Sequence, residues 1–449
     1  MNFFKKGTSR WKGYFYGLVA KYYSLYIRPG DTFVEIDPAN GLFINHFPST
    51  GSFVLSLSGK AAVSGYKNIE LKDLKRIRPD YIVLNGNIHF ERDIQKFLES
   101  VYSHCNPSTR IIVSYYSSAW RPVVKLATFL GLREKLPESN WITHEDISNL
   151  LELSGFESVR RDCRILLPVW IPILSNLVNR YIAPLPFFRL FTLMNILVAR
   201  PRIAENENSK KSVSIVVAAR NESGNIENLI TRLPKMGPND ELIFIEGHST
   251  DDTWEKIREM EKKYRKKVNI RIGQQDGKGK GDAVRKGFSL ATKDILMILD
   301  ADLTVPPEDL PKFYKAIVLD LGEFINGSRL VYPMEKKAMR FFNILGNKFF
   351  ASAFSFVLGQ KLKDTLCGTK VLSRENYLRL AKNRNYFGDF DPFGDFDLLF
   401  GASRIGLKIK ELPVAYRERV YGETNIQRWK HGVILLKMLL FAARKIKFI

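Results

Sequence analysis

Short apolar runs recur along the chain, separated by stretches whose polar and apolar residues follow a helical spacing, the pattern of an α/β protein. In the first half, residues 32–36, 53–57, 81–84 and 110–114 predict strands. Residues 91–102 predict a helix, and Thr143-His144-Glu145-Asp146 opens another. In the second half, residues 213–218, 242–245 and 295–299 predict strands, with one helix beginning near Asn225 and another over 284–291. Between the halves, residues 201–212 are polar and carry no apolar period, which marks a linker. The expected organisation is two α/β domains, 1–200 and 213–431, and a basic amphipathic C-terminal helix, 432–449.

The longest apolar region, residues 165–199, is cut by Arg180 and Arg189 and by Pro168, Pro172, Pro184 and Pro186. No segment reaches the ~20 apolar residues that a spanning helix needs, so this region is expected in a core or on a membrane surface. The start, Met1-Asn2-Phe3-Phe4-Lys5-Lys6, is basic but leads into polar residues, which predicts no signal peptide.

With 45% hydrophobic and 26% charged residues over 449 positions, the composition is globular. A net charge of +22 calls for an anionic partner, either nucleic acid or an anionic membrane face. No helix-turn-helix, zinc-finger or RRM-type pattern accompanies the charge, so a nucleic-acid partner is not expected. Cys105, Cys163 and Cys367 lie far apart, which argues against a disulfide framework or a structural zinc.

The chemistry gathers in the second half. The run 295–299 ends in Asp300-Ala301-Asp302, two carboxylates one residue apart at the carboxyl edge of a predicted strand. Alternate residues of an extended chain point the same way, so both acids can converge on one cation, and Mg²⁺ or Mn²⁺ is commonly held by one or two carboxylates plus substrate phosphates. The first strand of this half leads into Ala219-Arg220-Asn221-Glu222, and the second into Glu246-Gly247-His248-Ser249-Thr250-Asp251. Acids at successive strand ends suit a nucleotide's base and ribose, although taken alone Glu246 and Asp251 are more often helix caps. Asp276-Gly277-Lys278-Gly279-Lys280-Gly281-Asp282 precedes a helix, where glycines let the backbone close on a diphosphate and Lys278 and Lys280 add positive charge.

Taken in order, these motifs resemble glycosyltransferase family 2 with the glycosyltransferase-A fold, above all the dolichol-phosphate mannose synthase-like enzymes, over residues 213–431. The resemblance extends to Gly327-Ser328-Arg329 and Asp364-Thr365-Leu366-Cys367-Gly368-Thr369-Lys370 on the acceptor side. It extends also to Gly394-Asp395-Phe396-Asp397, to Glu411-Leu412-Pro413 and to Arg417-Glu418-Arg419-Val420-Tyr421-Gly422-Glu423-Thr424-Asn425. Gly247 stands where the family has an acid, and Thr424-Asn425 where it has Ser-Lys.

The resemblance implies a mixed sheet, a UDP- or GDP-sugar donor and an inverting transfer. Asp300 and Asp302 would hold the metal, and Asp395, with Asp397 beside it, would serve a hydroxyl acceptor as base. Arg417 and Arg419 would grip an acceptor phosphate. A polyprenyl phosphate or lipid-linked glycan is the implied acceptor, reached by a protein peripheral on the cytoplasmic face of the cell membrane. The phenylalanine-rich residues 339–358 and the stretch 432–449, where Leu435, Met438, Leu439 and Phe441 precede Arg444-Lys445, would lie at the interface.

The first half resembles, over most of residues 1–200, the class I S-adenosylmethionine-dependent methyltransferases. Arg28-Pro29-Gly30-Asp31, Glu35-Ile36-Asp37-Pro38-Ala39-Asn40-Gly41 and Leu153-Ser154-Gly155-Phe156-Glu157 carry the likeness. Asp37 and Ala39 replace two glycines of the cofactor loop, and the acid after the second strand is missing from Ser56-Leu57-Ser58-Gly59. A scaffold without bound S-adenosylmethionine is therefore expected. The alternative is a bifunctional methyltransferase and glycosyltransferase acting on a cell-surface polysaccharide or soluble saccharide.

Overall fold

The computed structural model describes residues 2–38, 41–57, 63–131, 140–202, 210–332, 341–382, 384, 394–419, 421 and 428–449, with the backbone alone for 2–11, 341–343, 395 and 428–430. The chain divides into two compact units: residues 1–203 with 444–449, and residues 204–443. Each contains one seven-stranded mixed sheet with helices packed on it.

In the first unit the strands are β1 (Phe33–Ile36), β2 (Ser52–Leu55), β3 (Lys67–Ile69), β4 (Tyr81–Asn85), β5 (Arg110–Tyr116), β6 (Phe156–Arg164) and β7 (Met194–Pro201). They lie in the order β3-β2-β1-β4-β5-β7-β6, with β7 antiparallel to both its neighbours. β1, β2, β4 and β5 are the predicted strands, largely buried and rich in Val and Ile as central parallel strands are, while the added edge strand β3 exposes Lys67 and Asn68. The region 165–199 divides between core and surface. Its end is β7, every residue of which is buried, while residues 171–191 run over the surface.

Direction of order reverses between β1 and β4, and there a cavity of about 550 Å³ opens, lined by Asp37, Asn85, Asn87 and the start of the helix Ile94–Tyr102. Asp37 takes φ +44 and accepts the Leu57 amide at 2.9 Å, so a carboxylate stands where the cofactor loop would have glycine. Ala39, Asn40, Ser58 and Gly59 lie outside the described residues.

Glu35, on β1, is buried, and one of its carboxylate oxygens has no partner. Burial pushes its carboxyl from the ordinary 4.5 up to about 8, against a hydrogen bond from Asn85 that lowers it. The folded protein thus prefers Glu35 protonated. This contribution to stability is fully present below the unfolded value and is lost as pH rises towards 8. Glu35→Gln should therefore raise the melting temperature at pH 8 and leave it little changed near pH 4.5. Equal shifts at both pH values would mean that Glu35 is charged in the fold.

In the second unit the strands are β8 (Val213–Ala219), β9 (Glu241–Glu246), β10 (Asn269–Gln274), β11 (Ile295–Ile298), β12 (Phe324–Ser328), β13 (Lys370–Ser373) and β14 (Ile409–Pro413). Their order is β10-β9-β8-β11-β13-β12-β14, with β13 antiparallel to β11 and β12. Here too the order reverses between two parallel strands, β8 and β11, and both carry their motifs just past the carboxyl end.

The helix Phe341–Leu358 packs much of its aromatic side inward. Phe354 is fully buried, 4.8 Å from Phe396 and 5.6 Å from Phe400 between ring centroids, although Leu345 and Phe349 face out. The helix Arg428–Ala442 buries Leu435 and Met438, which corrects their expected role at a lipid surface; Val433, Leu436 and Leu440 are its exposed apolar residues among those described. Residues 444–449 belong with the first unit, where buried Lys447 pairs with Asp162 at 2.8 Å, so this lysine is not free for headgroups. Among the described residues no helix is long and apolar enough to cross a membrane.

Candidate functional site

The β8–β11 junction gathers the site. Beyond β11 the chain turns through Asp300, buried Ala301 and Asp302 into Leu303, which takes φ +56. The two acids do not stand free. Asp300 accepts from Lys280 Nζ at 2.5 Å, and Asp302 accepts from an Arg419 Nη at 2.6 Å and from the Thr304 hydroxyl at 2.8 Å. Lys280's charge and hydrogen bond hold the Asp300 carboxyl below its usual value against the burial that opposes them.

Lys280 is the first residue of the helix Lys280–Leu290, and Gly279 before it takes φ +85. Asp282 accepts the Gly277 amide at 2.7 Å, closing the glycine turn on itself. Lys278 is exposed beside it. Close approach also explains Gly368: a Cβ there would lie 2.0 Å from an Asp300 carboxylate oxygen and 2.5 Å from Lys280 Nζ. Gly394, at φ +72, packs so that a Cβ would come 2.6 Å from Gly281 Cα. It brings the first turn of the helix Asp395–Arg404 against the start of the lysine helix. The side chain of Asp395 lies outside the described residues, as do Val420, Gly422, Glu423, Thr424 and Asn425.

Arg419 reaches in from the segment after β14 and bridges two acids, with one Nη on Asp302 and the other 2.9 Å from Glu222 Oε1. Glu222 is buried, and burial lifts its carboxyl to about 7; Arg419 and the Asn225 amide at 2.7 Å oppose that rise, while Asp302 and Asp300 add to it. Tyr421 closes over the same turn, its hydroxyl 3.0 Å from Ser223 Oγ and its ring where a Gly224 Cβ would stand. Arg417 points outward, its amide held by the Thr304 carbonyl at 2.9 Å.

The other predicted nucleotide residues are knitted to one another. Asn221, at φ +56, donates its amide to Ser249 Oγ at 3.0 Å and accepts the Thr250 amide at 2.8 Å. Glu246 accepts from the Ser249 amide at 2.5 Å and from Gln274 at 2.9 Å; these bonds outweigh burial and hold its carboxyl low. Asp251 accepts from Thr253, whose hydroxyl in turn receives the Glu222 amide. Glu246 and Asp251 thus hold the loop before the helix Thr253–Tyr264 by accepting from its own donors. Ala219 is buried, its carbonyl taking the Gly247 amide at 2.8 Å, and Arg220 is exposed. A Cβ on Gly247 would approach Arg220 Cβ to 3.2 Å, which accounts locally for glycine at this position.

Asp397, grouped with Asp395 in the sequence reading, forms a part-buried ion pair with Arg384 at 2.8 Å. Two residues apart on a helix, side chains diverge by about 200°. On the acceptor side, Arg329 grips Asp364 in a bidentate pair at 2.7 and 2.9 Å and lies 5.2 Å over the Tyr416 ring. Neither the depth of this pair nor the role of Gly368 is visible in local sequence pattern.

Two hard carboxylate donors with no nitrogen or sulfur ligand beside them fit Mg²⁺ or Mn²⁺. Among the described residues no three acids, histidines or cysteines gather closely enough to hold a metal, so two carboxylates would leave the rest of a cation's shell to water and substrate oxygens.

Residues 214–380 match the sequence profile of Glycosyl transferase family 2. Over 221 residues, 48% of this chain, it is 30% identical to a dolichol-phosphate mannosyltransferase of Pyrococcus furiosus. It is 26% identical over 230 residues, 51% of this chain and 92% of the relative, to a dolichyl-phosphate hexose transferase of Haloferax volcanii. It is 26% identical over 242 residues, 51% of this chain and 93% of the relative, to a UDP-N-acetylglucosamine–dolichyl-phosphate N-acetylglucosaminyltransferase of Methanococcus voltae. The chain spans 59% of the length of the first of these. The motifs at the ends of β8 and β11 fall inside the matched region, and residues 214–380 form a glycosyl transferase family 2 domain.

Proposed function

We propose that the second unit transfers a sugar from a UDP- or GDP-sugar to a polyprenyl phosphate or a lipid-linked glycan at a membrane surface, with inversion at the anomeric carbon. One observation carries this reading. The acids of Asp300-Ala301-Asp302 stand where the strand order reverses, each paired with a cation from a different segment, Lys280 and Arg419. A nucleotide diphosphate accompanied by a divalent cation brings charges of both signs and suits this set. The acids turn to the cation, and Lys280 and Arg419 turn to phosphate oxygens. Asp300 and Asp302 would hold the ion, which would supply neutralisation of the leaving diphosphate.

The remaining residues divide the work. Arg220 and the Asn221 turn border the nucleotide, and exposed Lys278 adds charge near its phosphates. Asp395 takes the proton of a hydroxyl acceptor; a phosphate acceptor needs no strong base, and there Arg417 provides the grip. The polyprenyl acceptor is supported by the names of the relatives, which specify dolichyl phosphates. In the first unit, neutral buried Glu35 and the Asp37 carboxylate support a scaffold that does not use S-adenosylmethionine.

Calorimetry with UDP- and GDP-sugars tests the donor side. One nucleotide class should bind in the presence of Mn²⁺, and Arg419→Ala should weaken that binding. If neither class binds with Mn²⁺ present, the reading fails.

A further inference from the structure

Residues 171–191 of the first unit are folded inside out. Ser175 and Asn179 are each 1% exposed, while Ile173 is 77%, Phe187 65% and Leu190 70% exposed. The polar pair faces inward because the preceding loop needs it. Asn179 Oδ1 accepts the amides of Leu166 and Leu167 at 2.8 and 2.9 Å, and Ser175 accepts from Ile171 and donates to the Val169 carbonyl. Water favours the opposite arrangement. Ile173 shows the same preference at the backbone. It is β-branched yet takes φ +63, a turn position that glycine or asparagine would fill at less cost if the turn faced water.

A second apolar segment adjoins it. The helix Arg121–Phe129 has no buried residue, although its sequence is mostly apolar, and Phe129 is 87% exposed. Trp120, immediately before this helix, donates its indole N–H to the Phe191 carbonyl at 2.8 Å and so ties the two segments together. Charge completes the picture. Arg121, Lys125, Arg180 and Arg189 are interspersed with these side chains, and neither residues 110–133 nor residues 165–200 contain an aspartate or glutamate. Exposed phenylalanine and leucine among arginine and lysine, with acids excluded, complement a lipid surface of negative charge. An apolar face of this extent marks an interaction site.

We propose that the first unit docks on an anionic bilayer through the face built by residues 171–191 and the helix Arg121–Phe129. The inference deepens the membrane reading above and rests on it, but moves the principal contact away from the C-terminal stretch.

The test uses the full chain and sedimentation with vesicles of phosphatidylcholine and phosphatidylglycerol in equal parts. Wild-type protein should sediment with them and only partly release in high salt. The triple variant Phe187→Ser, Leu190→Ser, Phe191→Ser should lose most of its bound fraction, whereas Leu436→Ser with Leu440→Ser should lose little. As a readout independent of that triple variant, a polarity-sensitive fluorophore on Leu190→Cys, in a Cys105→Ser background, should shift to the blue when vesicles are added. Wild-type protein that stays in the supernatant at low salt would overturn the membrane reading itself. If the wild type sediments but the triple variant sediments equally and the fluorophore does not shift, this face is not the contact. A wild-type dimer that the triple variant breaks, with vesicle binding unchanged, would assign the face to a second copy of the chain instead.

Discussion

Asp302→Ala is expected to lower sugar transfer by about three orders of magnitude or more while barely moving the melting temperature. The rate effect follows from charge. An acid that holds the ion neutralising a leaving diphosphate supplies several kcal/mol, and each ~1.4 kcal/mol is tenfold in rate. The fold should tolerate the change because no charge is orphaned. Arg419 keeps its partner Glu222 at 2.9 Å, so the cost is confined to the buried Thr304 amide and hydroxyl, which lose one acceptor. Steady-state kinetics beside matched thermal melts separate the two effects. A variant with the wild-type rate would remove the strand-end pair from the reaction.

Asp364→Ala should have the opposite emphasis. Arg329 and Asp364 are both buried and share a bidentate contact, so removing the carboxylate leaves a guanidinium without its partner at depth. Such a loss costs about 3–5 kcal/mol. Activity should fall as well, because the segment from Asp364 leads to Gly368, whose backbone packs directly on Asp300. Arg329→Met in the same chain should recover part of the stability by removing the stranded charge.

The pH dependence has a definite sign. Burial raises the Asp364 carboxyl, but the Arg329 charge and hydrogen bonds outweigh it and hold it below the usual range. Its contribution is present above the unfolded value and is lost as pH falls through the lower folded one. The stability gap between wild type and variant should therefore close in acid, the reverse of the trend expected for Glu35. A gap that widens in acid would contradict the pair.

Much of this was legible in the sequence because strand ends announce themselves. The runs before Arg220, Glu246 and Asp300 are largely apolar and stop at charged residues, which a buried parallel strand carries most readily at its end. Other features were ambiguous for physical reasons. An acid in a loop before a helix can serve a ligand or an amide on local pattern, and in the structure Glu246, Asp251 and Asp282 accept from amides and a hydroxyl. The partner of Asp397, Arg384, lies 13 residues away and is not visible in local pattern. The strand β7 was hidden because it continues an apolar region without a turn signal. In the helix Arg428–Ala442 apolar residues occur on all sides, so no moment distinguishes the core-facing Leu435 and Met438 from exposed Leu436 and Leu440.

The most direct measurement is transfer of a labelled sugar from a nucleotide donor to a short-chain polyprenyl phosphate, run with Mn²⁺ and again with excess EDTA. The organisation of Asp300, Asp302, Lys280 and Arg419 predicts a lipid-linked product with Mn²⁺ and essentially none with EDTA or in Asp302→Ala. Equal product with EDTA, or equal product from the alanine variant, would contradict it.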